Sequence, residues 1–227
     1  MARGRPARRS ELLLIPGPVS VDDEVLEALA QPVMAHYGDA WTALYFRTTA
    51  DMQRIFRTSN EVHLVFGPGM SAIEMSVASV LSPGDRVLVP SNGVFGERMI
   101  EVARAHALEV VPVRPGPREP VSAEAVEAAL DAHPDVRALA VVHHETSIGV
   151  INPVREIAAL ARRRGALSIV DAVSSAGGVE LEVDGWEIDL CVTVANKCLG
   201  GVIGVAPIAI GPRAITALKD GRPKSAG

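Results

Sequence analysis

The stretch Ala138–Asp171, ALAVVHHETSIGVINPVREIAALARRRGALSIVD, decides the fold of this 227-residue chain. It begins with the apolar run Ala138–His143 and ends with a second run, Leu167–Asp171. Such near-continuous apolar runs are typical of strands in a sheet that is covered on both faces. Between them, Pro153–Arg164 carries apolar residues at helical spacing. The order strand, helix, strand predicts a βαβ unit with parallel strands.

Both ends of this predicted helix carry recognisable signals. Asn152 is predicted to be the N-cap, and Pro153 suits the first helical position because no amide donor is needed there. Gly165 is predicted to end the helix, since glycine readily adopts the left-handed conformation found at helix ends. Arg162 to Arg164 lie in the last turn, where positive charge interacts favourably with the helix dipole.

The same alternation continues on either side of this unit. Further strands are predicted at Val62–Phe66, Arg86–Pro90, Glu109–Val113, Leu190–Val194 and Val205–Ile210. Further helices are predicted at Met70–Leu81, Glu97–Ala107 and Ser122–Ala132, the last with Ser122 as its N-cap. The pattern predicts an α/β fold, with three α/β/α layers around a mostly parallel sheet. Residues 1–11 are predicted to be a basic tail, and residues 12–227 a single domain.

The composition argues against several functional classes. Apolar residues make up 48% and charged residues 22% of the chain, which is ordinary for a globular protein with a sizeable core. The net charge of −5 gives no general attraction to nucleic acid or anionic membranes, and no apolar run is long enough to span a bilayer. The two cysteines, Cys191 and Cys198, cannot form a disulfide framework and suit a reducing compartment such as the cytoplasm.

Ligands of open parallel sheets bind beyond the carboxyl ends of the strands, so the residues at those positions are candidate site residues. The segment Gly67-Pro68-Gly69-Met70-Ser71 follows one strand and opens a helix, where backbone amides favour an anion such as phosphate. A simple Gly/Pro turn is the alternative. Phe95 follows the tight turn at Asn92-Gly93 and can stack on a planar ligand, or else pack against its own helix.

The run His143-His144-Glu145 follows a third strand and suggests a metal site. Neighbouring side chains of an extended segment point to opposite sides, however, and no further cysteine or histidine cluster would complete the coordination shell. No metal is therefore predicted. The hydroxyls of Thr146 and Ser147 are instead predicted to donate hydrogen bonds to a ligand oxygen.

Asp171 and Lys197 each end an apolar run. For each residue there is a plain alternative, namely a capping carboxylate for Asp171 and a lysine that extends into water for Lys197. Together they form a known chemical pair. An amine beside an apolar strand is poorly solvated and hence more nucleophilic, and an aspartate can keep a pyridine nitrogen protonated. Pyridoxal phosphate needs this combination of groups.

The chain resembles the fold-type I, class V pyridoxal-phosphate-dependent aminotransferases. The branch that it resembles contains alanine–glyoxylate, serine–pyruvate and 2-aminoethylphosphonate–pyruvate transaminases. Six blocks between Leu12 and Ile210 carry the resemblance, in family order: LLLIPGPVSV, GPGMSAIE, LSPGDRVLVPSNGVFGERM, HHETSIGVINPV, IVDAVSSAGG and VANKCLGG. The ANKC segment around the lysine is most similar to the aminoethylphosphonate members.

The resemblance implies a role for each matching residue. Lys197 would hold the cofactor as a Schiff base and later move the α-proton, while Asp171 would pair with the pyridine nitrogen. Phe95 and Val173 would lie on opposite faces of the ring. The other implied contacts come from Gly69, Met70, Ser71 and Asn196 to the phosphate, from Thr146 to the ring or phosphate, and from Gly17 to the substrate carboxylate. Many relatives have glutamine in place of Asn196.

The resemblance also implies a homodimer that transfers an amino group from alanine, serine or 2-aminoethylphosphonate to pyruvate or glyoxylate. Family members continue into a small C-terminal domain, whose arginine binds the substrate carboxylate. We expect this chain to end after the lysine strand without that domain. The alternative is therefore a catalytically incomplete fragment that serves cofactor binding or assembly. A desulfurase fits less well, because it needs a mobile cysteine, whereas Cys198 adjoins Lys197 and is expected to be buried, and Cys191 lies inside a strand.

Overall fold

A sheet of seven strands organises the structure, a computed structural model that describes residues 13–220. The predicted basic tail lies outside the described residues. The strands are β1 (Glu61–Phe66), β2 (Arg86–Pro90), β3 (Glu109–Val113), β4 (Val136–Val142), β5 (His144–Glu145), β6 (Val150–Ile151), β7 (Leu167–Asp171), β8 (Leu190–Val192) and β9 (Val205–Ile210). Of these, β5 and β6 form a separate two-stranded hairpin, and the other seven form the sheet.

The helices connect the strands and flank the sheet. They are α1 (Asp23–Leu29), α2 (Asp39–Phe56), α3 (Gly69–Val80), α4 (Val94–Ala105), α5 (Ala123–Ala132), α6 (Val154–Arg163) and α7 (Pro212–Asp220). Across residues 13–220, none of these helices combines the length and the apolar character that crossing a membrane requires.

The strand order in the sheet is β1-β9-β8-β7-β4-β2-β3. Neighbouring strands from β8 to β3 are parallel, whereas β9 is antiparallel to both β1 and β8. The prediction of a mostly parallel sheet is therefore confirmed. The carboxyl ends of β1, β2, β4, β7 and β8 all lie at one edge, together with the start of β9.

Both faces of the sheet are covered, which confirms the three-layer prediction. One core contains Phe56 of α2, Leu130 of α5 and Ile157 of α6. The other core contains Ile73 of α3 and Met99 of α4, with Ala214 of α7 also buried there. Strands between two apolar layers must be apolar on both sides, and this is why their sequences read as continuous runs.

The predicted helix ends were correct in part. Ser122 caps α5, since its hydroxyl accepts a hydrogen bond from the amide of Ala125 at 3.0 Å. Gly165 follows α6 with a φ of +73°, and its amide donates to the carbonyl of Arg162 at 3.2 Å, in a Schellman-type ending. The prediction for Asn152 was wrong, because Pro153 occupies the N-cap position and the Asn152 side chain bonds elsewhere.

Two further boundaries bear on the site. Helix α4 starts at Val94 and not at Glu97, so Phe95 lies in its first turn. Strand β8 ends at Val192, two residues earlier than predicted. After β8, the amides of Thr193 and Ala195 still donate to carbonyls of β9, but the pairing with β7 ends at Val192.

Candidate active site

Asp171 is a deeply buried ionisable group at the carboxyl edge of the sheet. It ends β7 and its relative exposure is 4%. One carboxylate oxygen accepts a hydrogen bond from the amide of Val173 at 2.9 Å, and the structure describes no other hydrogen bond to this carboxylate. Burial raises the pKa of Asp171 most strongly, and the charge of Glu145 also raises it, whereas the amide of Val173 and the charge of Lys197 lower it. The resulting pKa is about 6.

Lys197 lies in the turn that follows β8, not at a strand end as predicted. The expectation that the neighbouring Cys198 is buried was also wrong, because this turn leaves it exposed. Its Nζ donates a hydrogen bond to the carbonyl of Pro16 at 3.2 Å. The next residue, Gly17, has a φ of +128°, and a Cβ there would stand 2.8 Å from Nζ and 2.9 Å from Cε of Lys197. The amine and Gly17 are therefore in contact, and glycine allows the close approach.

The first turn of α3 presents free amides at the same edge. Ser71 donates its amide to Pro68, whereas the amides of Gly69 and Met70 have no acceptor among residues 13–220, and no side chain caps this helix. A Cβ on Gly69 would lie 2.7 Å from Val173. Glycine therefore brings the amino end of α3 against Val173, two residues after Asp171, where the helix dipole favours an anion.

Phe95 and Val173 are both half-buried and pack against the same core. The guanidinium of Arg98 lies 5.8 Å from the centre of the Phe95 ring. The ring thus packs near its own helix, while it remains half-exposed at the edge of the sheet. Stacking on a planar ligand stays a prediction, and so do the positions of Phe95 and Val173 on opposite faces of a cofactor ring.

Thr146 and Asn196, two further residues predicted to contact the cofactor, lie near this edge. Thr146 and Asn196 are half-buried, and their side chains make no hydrogen bond with any other described residue. The backbone of Asn196 accepts a bond from the amide of Val19 at 3.4 Å, which ties the turn of Lys197 to the N-terminal segment. Ser147 differs from the prediction, because its hydroxyl donates to Glu145 at 2.6 Å.

Glu145 is a residue that the sequence analysis missed as part of this site. It is fully buried, and one carboxylate oxygen accepts from the amides of Phe95 at 3.0 Å and Gly96 at 3.1 Å. The signal in the sequence was indirect: α4 begins after Gly93, which has no side chain to cap the helix. A cap from another segment was therefore required.

The two histidines before Glu145 make contacts within the fold. His143 is buried edge-to-face against Trp186, and burial lowers the pKa of His143 to about 4, so it is neutral near neutral pH. His144 bonds through Nδ1 to the carbonyl of Ser174 at 3.0 Å. In the part of the chain that the structure describes, no group of histidine, cysteine, aspartate or glutamate residues is arranged to hold a metal ion.

Comparison with known proteins links this geometry to one family. The family described as aminotransferase class-V matches residues 22–220. An uncharacterised aminotransferase of Methanocaldococcus jannaschii is 38% identical over 209 residues, which are 92% of this chain and 54% of that protein. A 2-aminoethylphosphonate–pyruvate transaminase of Salmonella schwarzengrund is 34% identical over 220 residues, 96% of this chain and 59% of that protein.

Solved structures agree with the sequence relatives. The crystal structure of an alanine–glyoxylate aminotransferase from Nostoc sp. matches with a TM-score of 0.91 and 34% identity, over 96% of this chain and 58% of that one. The chain thus spans a little over half the length of the relatives that it matches.

Pyridoxal phosphate is the cofactor of this family, and the residues present fit it. Gly69 and Met70 offer free amides for a phosphate, and the buried carboxylate of Asp171 has room to accept a hydrogen bond from a ring nitrogen. Lys197 supplies an amine at the same edge. By the match over residues 22–220 and by its fold, the chain belongs to the class-V aminotransferases.

Proposed function

We propose that this chain is the cofactor-binding large domain of a pyridoxal-phosphate-dependent transaminase. The amino donor would be alanine, serine or 2-aminoethylphosphonate, and the acceptor a 2-oxo acid such as pyruvate or glyoxylate. The observation that carries the proposal is the convergence of three groups at one edge of the sheet: a buried carboxylate, an amine held by a backbone carbonyl, and the open amino end of α3.

Asp171 would fix the charge of the cofactor ring. When bound, pyridoxal phosphate supplies a ring that draws electrons away from the carbon that carries the amino group. This requires a protonated ring nitrogen, which Asp171 can stabilise when ionised. Because the pKa of Asp171 is about 6, the side chain is largely ionised near neutral pH and can accept the hydrogen bond of that nitrogen.

Lys197 would hold the cofactor covalently through Nζ and, once displaced by the substrate amine, carry a proton to and from the substrate carbon. The carbonyl of Pro16 accepts a hydrogen bond from Nζ, and Gly17 is in contact with the amine. Gly17 would therefore border the side from which a substrate approaches. Gly17 is therefore proposed to lie beside the substrate carboxylate.

The phosphate would be bound by the amides of Gly69 and Met70, with the hydroxyl of Ser71 and the side chain of Asn196. Support comes from the unpaired amides of α3 and from the helix dipole. The ring would lie between Phe95 and Val173, and Thr146 would contact the ring or the phosphate. These contacts use side chains that the described part of the protein leaves without hydrogen-bond partners.

We further propose that the protein is a homodimer. Large apolar side chains are exposed along α1 and the first half of α2, and Val33 between them is 100% exposed. An apolar surface of this kind marks an interface in a stable protein. A second copy of the chain is the proposed partner, whereas neither nucleic acid nor a membrane is proposed. The cytoplasm is the proposed location, since Cys191 and Cys198 are both free thiols.

The test is the absorbance spectrum of the purified chain with pyridoxal phosphate, compared with Lys197→Ala. We expect a band that depends on Lys197 and that an effective amino donor bleaches. Lys219→Ala, which changes an exposed lysine on α7, is the matched control and should keep the band. The donor that bleaches the band, among L-alanine, L-serine and 2-aminoethylphosphonate, identifies the substrate class.

The same spectra separate the two candidate functions. A band that depends on Lys197 but that no donor changes would support a cofactor-binding or assembly fragment in place of a complete transaminase. Absence of any lysine-dependent band would contradict cofactor binding by this chain.

A further inference from the structure

Glu145 is a buried charge with an unusual set of partners. Its side chain is 0% exposed, and no ion pair within residues 13–220 includes it. One carboxylate oxygen accepts from the amides of Phe95 and Gly96, at 3.0 and 3.1 Å. The other accepts from the amide and hydroxyl of Ser147, at 3.2 and 2.6 Å. Four hydrogen bonds and the amino end of α4 therefore compensate the charge without a cation.

These bonds fix the start of α4. A Cβ on Gly93 would stand 2.5 Å from both Cγ and Cδ of Glu145, so the turn before the helix closes directly over the carboxylate. The hydroxyl of Ser147 also accepts from the amide of Val94 at 3.0 Å. The main chain that carries Phe95 is thereby tied to the segment after β4, at the edge where Asp171 and Lys197 lie.

Glu145 lies close to the end of β7, because the amide of His143, two residues before Glu145, donates to the carbonyl of Asp171 at 2.9 Å. Its charge therefore acts on the Asp171 side chain. The pKa of Asp171 is raised first by burial and then by the negative charge of Glu145, while Lys197 opposes the effect. Two buried carboxylates and one amine share this part of the sheet edge. With a single amine for two carboxylates, the edge favours a further positive charge beside Asp171, such as a protonated ring nitrogen.

We propose that Glu145 is a positioning residue of the cofactor site, which fixes the main chain of Phe95 and places a second buried negative charge near Asp171. The inference rests on the proposed function, because the group that this negative charge would stabilise is the protonated nitrogen of a pyridine ring. It goes beyond that function by adding a residue that would touch neither cofactor nor substrate.

The test compares the binding of pyridoxal phosphate with that of its carbocyclic analogue, in which carbon replaces the ring nitrogen. Glu145→Gln keeps the size of the side chain but removes its charge. Because the amide nitrogen of glutamine cannot accept the hydrogen bonds that one carboxylate oxygen accepts, both ligands should bind more weakly. We expect pyridoxal phosphate to lose about tenfold more affinity than the analogue, because only the former carries a positive ring nitrogen. Glu101→Gln changes an exposed glutamate on α4, the helix that carries Phe95, and is the control. It should change the affinity for neither ligand.

Glu145→Asp separates the two roles. It keeps the charge but shortens the reach to the amides of Phe95 and Gly96, so both ligands should weaken by the same factor. Equal weakening of both ligands in Glu145→Gln would overturn the electrostatic role and leave Glu145 as a structural cap. If Glu145→Gln fails to fold, the aspartate variant alone tests the positioning role.

A measurement without cofactor keeps this inference distinct from the proposed function. In Glu145→Asp, hydrogen exchange of the Phe95 and Gly96 amides should accelerate by about tenfold or more, while amides of α5 keep their protection. Unchanged exchange at those two amides would refute the positioning role. Failure of the wild-type chain to bind pyridoxal phosphate would instead refute the proposed function.

Discussion

Burial sets the properties of Asp171. The pKa rises from an ordinary value of 3.8 to about 6 because the charged form is poorly solvated at the end of β7. The folded protein thus holds this proton to a higher pH than the unfolded chain does. The consequence is a folding stability that falls as the pH rises from about 4 to about 6, by roughly 3 kcal/mol.

Asp171→Asn removes this dependence. We expect the variant to gain stability relative to wild type by roughly 3 kcal/mol between about pH 4 and pH 7. Urea unfolding of both proteins at the two pH values gives this double difference, in which the other titrating groups cancel. A difference that does not change with pH would show that Asp171 titrates normally in the folded protein.

Gly17 permits the approach of the N-terminal segment to Lys197. In Gly17→Ala, the new Cβ would come within 2.8 Å of Nζ, at a φ of +128° that side chains rarely adopt. We expect the lysine-dependent absorption band to form at least about tenfold more slowly, because Lys197 must move. Gly84→Ala is the control, since its φ is +88° but no atom lies within 4 Å of the new Cβ. Equal effects of the two variants would assign the loss to backbone strain.

Individual site residues were predictable where chemistry and position coincide. Asp171 ends β7, Lys197 lies in the turn after β8 and Gly69 follows β1, so the rule for carboxyl ends correctly predicts that all three lie at one edge of the sheet. Their roles stay predictions. Glu145 was missed because its role depends on a helix start that is distant in sequence. Which side chains meet across a fold depends on packing, and no local pattern encodes the bond between Glu145 and Phe95.

Among the helices and strands, the N-cap of α5 shows most clearly how one local side chain fixes where an element begins. Ser122→Ala removes the acceptor for the amide of Ala125, now at 3.0 Å, and we expect a loss of about 1 kcal/mol in the free energy of unfolding. Ser122→Asp, which restores an acceptor, should recover most of it. Urea unfolding measures both variants. A loss in the aspartate variant as large as in the alanine variant would argue against a capping role.

Strands were easier to predict than helices in this chain. The inner strands β7 and β8 are buried on both faces, so their runs of apolar residues are nearly continuous. Helix α2 was not predicted, because Trp41 and Phe46 are exposed and blur the apolar stripe. Asn152 was assigned to the wrong role, since its side chain bonds to Asn92 and to the carbonyl of Val142 and leaves the α6 cap position to Pro153.

At the scale of the whole molecule, the alternation of elements predicted the layers but not every strand direction. The connection between β8 and β9 contains no helix that would carry the chain back across the sheet, and β9 returns antiparallel to β8. This places the turn of Lys197 between two strand ends at the edge where the other site residues lie. The direction of β9 thus helps to position the amine, a link that only the assembled sheet reveals.

The apolar surface of α1 and α2 predicts that the chain self-associates. Exposed apolar side chains extend from Leu29 of α1 through Val33 to Phe46 of α2, which is 65% exposed. Burying them in a dimer would gain about 25 cal/mol for each Å² of apolar surface removed from water. We expect the double variant Leu29→Glu and Phe46→Glu to shift the chain from dimer to monomer at micromolar concentration in sedimentation experiments. Ile151→Glu, an exposed apolar position in β6, should leave the dimer intact; a wild-type chain that sediments as a monomer would contradict the prediction.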